Sequence, residues 1–198
     1  MSPTPTTTGT SDQAGIPMSV EQFWSLVDDT TSESPEDQAA QLQPRLAALS
    51  HEDLAAYQRR FVLLANALAT ESHYGVAELI MGSVSQDVFV DFRTWVVYQG
   101  QGVYDAFLAD PDSLADHGPV DDEQVGMAEV LEFLPDEVHA GISESNPDTV
   151  YIDPAGPPID HHYATLATAF PRVATAYLPS PAPVGSPADE GPREIRKR

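Results

Sequence analysis

The sequence contains no cysteine, which excludes disulfides, thiolate metal sites and cysteine nucleophiles together and leaves the core to hold by packing alone. Lysine occurs once, as Lys197 near the end of the chain. A glycine-rich phosphate loop closed by a lysine is therefore missing, and nucleotide hydrolysis of that kind drops out. The residues before Met18 carry neither a basic head nor an apolar run, so they do not read as a secretory signal. No stretch is long and apolar enough to span a bilayer. These absences predict a cytoplasmic protein with no membrane partner. Alternating apolar and polar residues never run long enough to seed a sheet, and no repeat of solenoid period occurs.

What the sequence has in excess is negative charge: 31 Asp and Glu against 9 Lys and Arg, a formal net charge of −22. The imbalance sits in the middle of the chain. Between Met18 and Leu178 only Arg45, Arg59, Arg60, Arg93 and Arg172 face 27 carboxylates. Such a surface repels phosphate backbones, so nucleic acid is excluded as a ligand of the folded part. The same field attracts a basic protein partner, with a strength that salt should screen.

Apolar residues make up 41% of 198, enough for one core. The expected architecture is all-α: a single irregular helical bundle over 18–178, between a disordered N-terminal tail (1–17) and a disordered Pro-rich tail with a basic end (179–198). Ser19 with Gln22 forms a capping box before Phe23, Trp24, Leu26 and Val27. Ser34 and Pro35 open a second helix, within which Pro44 should act as a kink or break. Ser50 starts a third, with Leu54, Tyr57, Phe61, Leu64 and Leu68 on one face. Tyr74 to Met81 reads as a short buried helix ended by Gly82, and Ser85 caps a long one reaching Gln99. Val103 to Ala109 resumes after Gly100 and Gly102 and stops at Asp110-Pro111-Asp112. Met127, Val130, Leu131 and Leu134 suggest another helix, with a break at Pro135. The proline-rich segment 146–158 reads as a loop, and 161–178 as helix interrupted at Pro171.

The candidate site lies in the segment from Asp87 to Gly100. At about 100° per residue, a helix there puts Asp87, Asp91, Thr94 and Tyr98 on one stripe and apolar residues almost everywhere else, as in a central helix. Arg93 falls among Phe89, Val90, Val96 and Val97, so it points into protein, where a guanidinium needs pairing and a carboxylate from another element should meet it. Two readings follow. One is a structural pair that ties helices together. The other is a site for a ligand carboxylate or phosphate formed by Asp87, Arg93, Trp95 and Tyr98.

Other constellations are weaker. Asp160-His161-His162, with His139 or His117, invites a metal. Adjacent helical histidines diverge by about 100°, however, and Asp160 reads better as an N-cap, so no metal or other cofactor is expected. No serine sits in a nucleophile-elbow sequence. Gly75, Gly82 and Gly126 read as caps or close helix contacts rather than ligand cradles.

Phe23-Trp24 in an opening helix, Leu49-Ser50 before an acidic helix start, Phe92-Arg93-x-Trp95 with Gln99-Gly100, and Asp110-Pro111-Asp112-Ser113-Leu114 together resemble family 4240 of the bacterial domains of unknown function, over about Met18 to Asp116. Phe170-Pro171-Arg172 is a fainter echo, similar to a Pro-Arg-Leu element near the end of some members. Family members carry a Gly-Gly, Cys-Ser, Asp-Asp-Gly-Phe run where this chain has Gly82 to Phe89, with Gln86 and Val88 replacing an Asp and a Gly. Asp87 alone is left of that acidic pair. The resemblance implies a fold and no activity. The function expected is a non-enzymatic interaction or regulatory module that binds a basic protein; the alternative is an enzyme or small-molecule or anion sensor built around Arg93.

Overall fold

Hydroxyl side chains open the helices of the first half of the chain. In the computed structural model, which describes residues 17–32, 34–118, 120–145 and 148–177, Ser19 and Gln22 form the reciprocal capping box of α1 (Val20–Val27). Ser34 caps α2 (Pro35–Ala47), Ser50 caps α3 (His51–Ala67), Thr70 caps α4 (Glu71–Met81) and Ser85 caps α5 (Gln86–Tyr98). Each cap satisfies one of the amide groups that a helix start leaves without a partner. Then come α6 (Gln101–Ala109), a 3-10 turn (Pro111–Asp116), α7 (Asp122–Met127) and α8 (Glu129–Val138). A helix-free strap, 148–162, leads to α9 (Tyr163–Ala169) and α10 (Pro171–Tyr177). Among the described residues there is no β-strand, only an isolated parallel bridge between Thr70 and Ala155. The fold is all-α; apart from Pro17, the tails expected over 1–17 and 179–198, like Leu178, lie outside the described residues.

The central helix is α5, as its pattern predicts. Nine of its 13 residues are buried, and it packs against α3, α6, α7 and α8. Its own Phe89 and Phe92, and Phe23, Tyr57, Phe61 and Phe107 from other helices, lose nearly all contact with solvent, each contributing about 1.5–3 kcal/mol of apolar burial. The stripe expected to be polar is divided. Asp87 is exposed and Asp91 half-buried, whereas Thr94 and Tyr98 are enclosed.

Two prolines expected to interrupt helices lie inside them, for different reasons. A proline at position i removes the bond to the carbonyl of residue i−4. For Pro44 that carbonyl belongs to Ala40; both residues are exposed, so water can replace the lost donor. For Pro135 it is the Leu131 carbonyl, in the core, and there the Tyr98 hydroxyl donates to it at 3.2 Å. Tyr57 completes the relay, its hydroxyl 2.9 Å from that of Tyr98. Burial drives both phenols well above their ordinary pKa, as suits neutral donors.

Glycine is required at Gly100, where φ is +95° and a Cβ would lie 2.9 Å from Asp28 Oδ1. That same oxygen accepts from the Gln101 amide at 2.8 Å, which caps the start of α6. Gly75 provides a close helix approach: a Cβ there would lie 2.6 Å from Ile159 and 2.9 Å from Leu166.

Candidate functional site

The four residues singled out on α5 face different partners. Asp87 is exposed in the first turn. Trp95, 3% exposed, stacks on Phe92 and meets His117 edge-on. Tyr98 is engaged with Tyr57 and Leu131, as described above. Arg93 is 0% exposed.

The guanidinium of Arg93 is surrounded by carbonyl oxygens rather than by a carboxylate. Its Nη1 donates to Ala65 O (3.1 Å) and Asn66 Oδ1 (3.3 Å), its Nη2 to Val150 O (2.6 Å) and its Nε to Phe89 O (3.3 Å). The Phe89 ring lies beneath the group, 4.8 Å from its centre. The expected carboxylate partner is replaced by peptide carbonyls of α3, α5 and the strap and by the Asn66 side chain. Five N–H groups in a rigid fork suit several scattered acceptors better than one carboxylate. Desolvation lowers the Arg93 pKa to about 10, and Glu132, acting through space, opposes that shift.

Glu132 is the residue that sequence reasoning passed over. It is 7% exposed and borders a cleft of about 320 Å³ with Gln58, Val62, Phe133, Glu144 and the strap residues Asp148 to Tyr151. One side of this cleft therefore comes from α3 and α8, and the other from the start of the strap and the residues just before it. Gln58 is 5% exposed and its Oε1 meets no donor among the described residues. Phe133 and Tyr151 present rings that are 43% and 47% exposed. The pattern held a signal for both polar residues: Gln58 falls on the apolar row Leu54, Phe61, Val62, and Glu132 on the row Ala128, Leu131, Pro135.

Burial first, then the negative charges of Asp91 and Glu129, push the Glu132 carboxyl up to about 7, against a smaller pull from Arg93. Asp91 rises to about 6 through burial and the charges of Glu129 and Asp87. A folded-state pKa raised above the unfolded value of 4.5 means that the native state holds the proton more tightly. The Glu132 contribution to stability is thus complete below about pH 4.5 and is lost as pH climbs through about 7. Glu132→Gln is expected to exceed the wild type by about 2–3 kcal/mol at pH 8 and to match it near pH 4. Urea titrations at the two pH values measure this; an equal offset at both would mean that packing, and not charge, sets it.

The strap is fastened at several points. Besides Arg93, Asn66 Nδ2 donates to Thr149 O at 2.8 Å, and Ala155 exchanges backbone bonds with Ala69 and Glu71. His161 bonds Glu78 at 2.5 Å and Glu71 at 3.0 Å. Burial disfavours the charged ring, but the two carboxylates outweigh it and raise the His161 pKa. The histidine considered as a metal ligand is thus held by carboxylates, and among the described residues no three His, Asp or Glu side chains converge as metal ligands. Asp160 is not the N-cap of α9; that place belongs to His162. Asp160 instead accepts from the His162 amide and the Thr165 hydroxyl.

The two sequence elements around Asp112 and Arg172 meet in space. Asp112, 8% exposed, accepts the amides of Arg172 (3.0 Å) and Val173 (2.9 Å) in the first turn of α10. The Arg172 guanidinium reaches Asp110 and Asp116.

Comparison with known families gives one finding: residues 18–139 match the family described as "Protein of unknown function (DUF4240)". No curated protein and no solved structure matches the chain. The matched region contains α1 to α8, Gln58, Arg93, Asp112 and Glu132, while the strap, α9 and α10 follow it.

Proposed function

The chain belongs to DUF4240, a family of proteins of unknown function, and on that premise we propose that it is a non-enzymatic interaction module whose acidic surface docks a basic protein partner. The observation that carries this reading is the state of its few cations. Against 27 carboxylates between Met18 and Leu178, Arg60 and Arg93 are buried and Arg59 is half-buried, while Arg45 and Arg172 are paired with Asp29, Asp110 and Asp116. Little positive charge is left to break up the negative field. Such a field steers a cationic surface and raises the encounter rate in a way that salt suppresses. The alternative, an anion or metabolite sensor around Arg93, has less support because the guanidinium donates to four oxygens of the chain itself and lies out of solvent.

Affinity capture from native lysate at about 50 mM and about 500 mM salt tests the proposal, since surface attraction is largely screened at the higher value. A basic protein retained in stoichiometric amount at low salt and lost at high salt is the expected result. Retention that ignores salt, or a partner without a basic face, would overturn it.

A further inference from the structure

We propose that the cleft between α3, α8 and the strap is a receptor for an alkyl guanidinium, presented by an arginine side chain of the basic partner. The inference rests on the interaction-module reading and gives it a contact point. The chemistry of the lining is one-sided. Glu132, Glu144 and the Gln58 amide oxygen can all accept hydrogen bonds, and among the described residues no cationic side chain lines the cleft.

An acidic cluster alone would be only a solvated surface, but Gln58 adds an independent observation. Gln58 is only 5% exposed and borders the cleft, and its Oε1 meets no hydrogen-bond partner among the described residues. Leaving such an atom unmatched costs stability, and a donor entering the cleft would recover that loss. The Thr94 hydroxyl is also unpartnered, but it is wholly enclosed in α5 and offers a ligand nothing.

Shape favours guanidinium over ammonium. The group is planar and weakly hydrated, stacks on aromatic faces, and distributes five N–H donors around its rim. Phe133 and Tyr151 provide half-exposed rings at the mouth, while Glu132 and Gln58 provide acceptors deeper in. Glu132 is also held in a place that weakens the fold once it ionises, with Asp91 and Glu129 repelling it and Arg93 only partly compensating. A second cation in the cleft would relieve that repulsion.

The test is a titration of the full chain at pH 7.5 with N-acetyl-arginine amide, using N-acetyl-citrulline amide and N-acetyl-lysine amide as comparisons and amide-shift mapping as the readout. A ligand of this size is expected to bind at about millimolar affinity. Shifts should centre on Gln58, Glu132, Phe133 and Tyr151, with citrulline at least about tenfold weaker and lysine intermediate. Gln58→Leu and Glu132→Gln should each weaken arginine by about tenfold or more, although Glu132→Gln is expected to be the more stable protein at that pH. Equal binding of arginine and citrulline, or shifts spread over the acidic surface and unchanged in the two variants, would overturn the proposal. The two readings fail separately. Salt-sensitive capture that survives both substitutions removes the cleft and leaves the module. Arginine amide seated in the cleft without any salt-sensitive partner does the reverse.

Discussion

Arg93→Met is expected to reduce the free energy of unfolding by about 3–5 kcal/mol, because several hydrogen bonds to a buried charge are lost together. The guanidinium joins three stretches of chain: its own helix at Phe89, the end of α3 at Ala65 and Asn66, and the strap at Val150. Methionine fills much of the same volume but donates nothing. The stranded carbonyls are not wholly orphaned, since Ala65 O still accepts from the Leu68 amide and Val150 O from the Ile152 amide. The loss is therefore that of hydrogen bonds to a charge, about 1.5–3 kcal/mol each, less the desolvation of the cation, which methionine avoids. Lysine in the same place should recover only part, because one ammonium cannot reach acceptors spread over a planar fork. Urea unfolding measures the total, and amide exchange at residues 150–152 locates it. A Met variant as stable as the wild type, with unchanged exchange in the strap, would mean that Arg93 is not the fastening and would revive its reading as a ligand site.

The second large effect is expected at Asp112→Ala, and it should be local. The carboxylate receives both first-turn amides of α10, so two charge-assisted bonds disappear and two helix donors are left bare. Together these amount to about 3–4 kcal/mol. A helix of seven residues has little intrinsic stability, so α10 should open without unfolding the bundle. Arg172 supplies the reporter. Between Arg93 and Arg193 it is the one basic residue in the sequence, and Val173 follows it. Trypsin cuts there only when the backbone opens, and the rate should rise by about a hundredfold to a thousandfold, each 1.4 kcal/mol being tenfold. Asp112→Asn, which keeps an acceptor, should fall in between. An unchanged cleavage rate in the Ala variant would show that apolar packing through Val173, itself fully buried, holds the helix alone.

These two residues show where sequence reasoning reached and where it stopped. Arg93 stood out because a charged residue among Phe89, Val90, Val96 and Val97 breaks the pattern of a buried helix. Its enclosure was readable; its partners were not, because Val150 lies 57 residues away in a segment that pattern marks only as loop. Asp112 reads locally as turn chemistry, a part that the Asp110 side chain plays by accepting the Asp112 amide, and nothing nearby announces that Asp112 caps a helix 60 residues later. Pro135 was misread for the same reason. Its tolerance depends on Tyr98, 33 residues from the carbonyl it rescues.

Taken alone, the amino-acid sequence determined the helical class, most helix starts, the central place of α5, the negative field and the exclusion of thiolate and phosphate-loop chemistry. Each follows from a residue's own properties or from neighbours within about a turn, where side chain and backbone meet whatever the rest of the chain does. Only the tertiary structure decided that Arg93 is held by carbonyls, that Gln58 and Glu132 face one cleft, and that the strap forms its other wall. Those facts depend on which distant segments pack together, and burial and dielectric at a side chain are properties of that packing rather than of the residue.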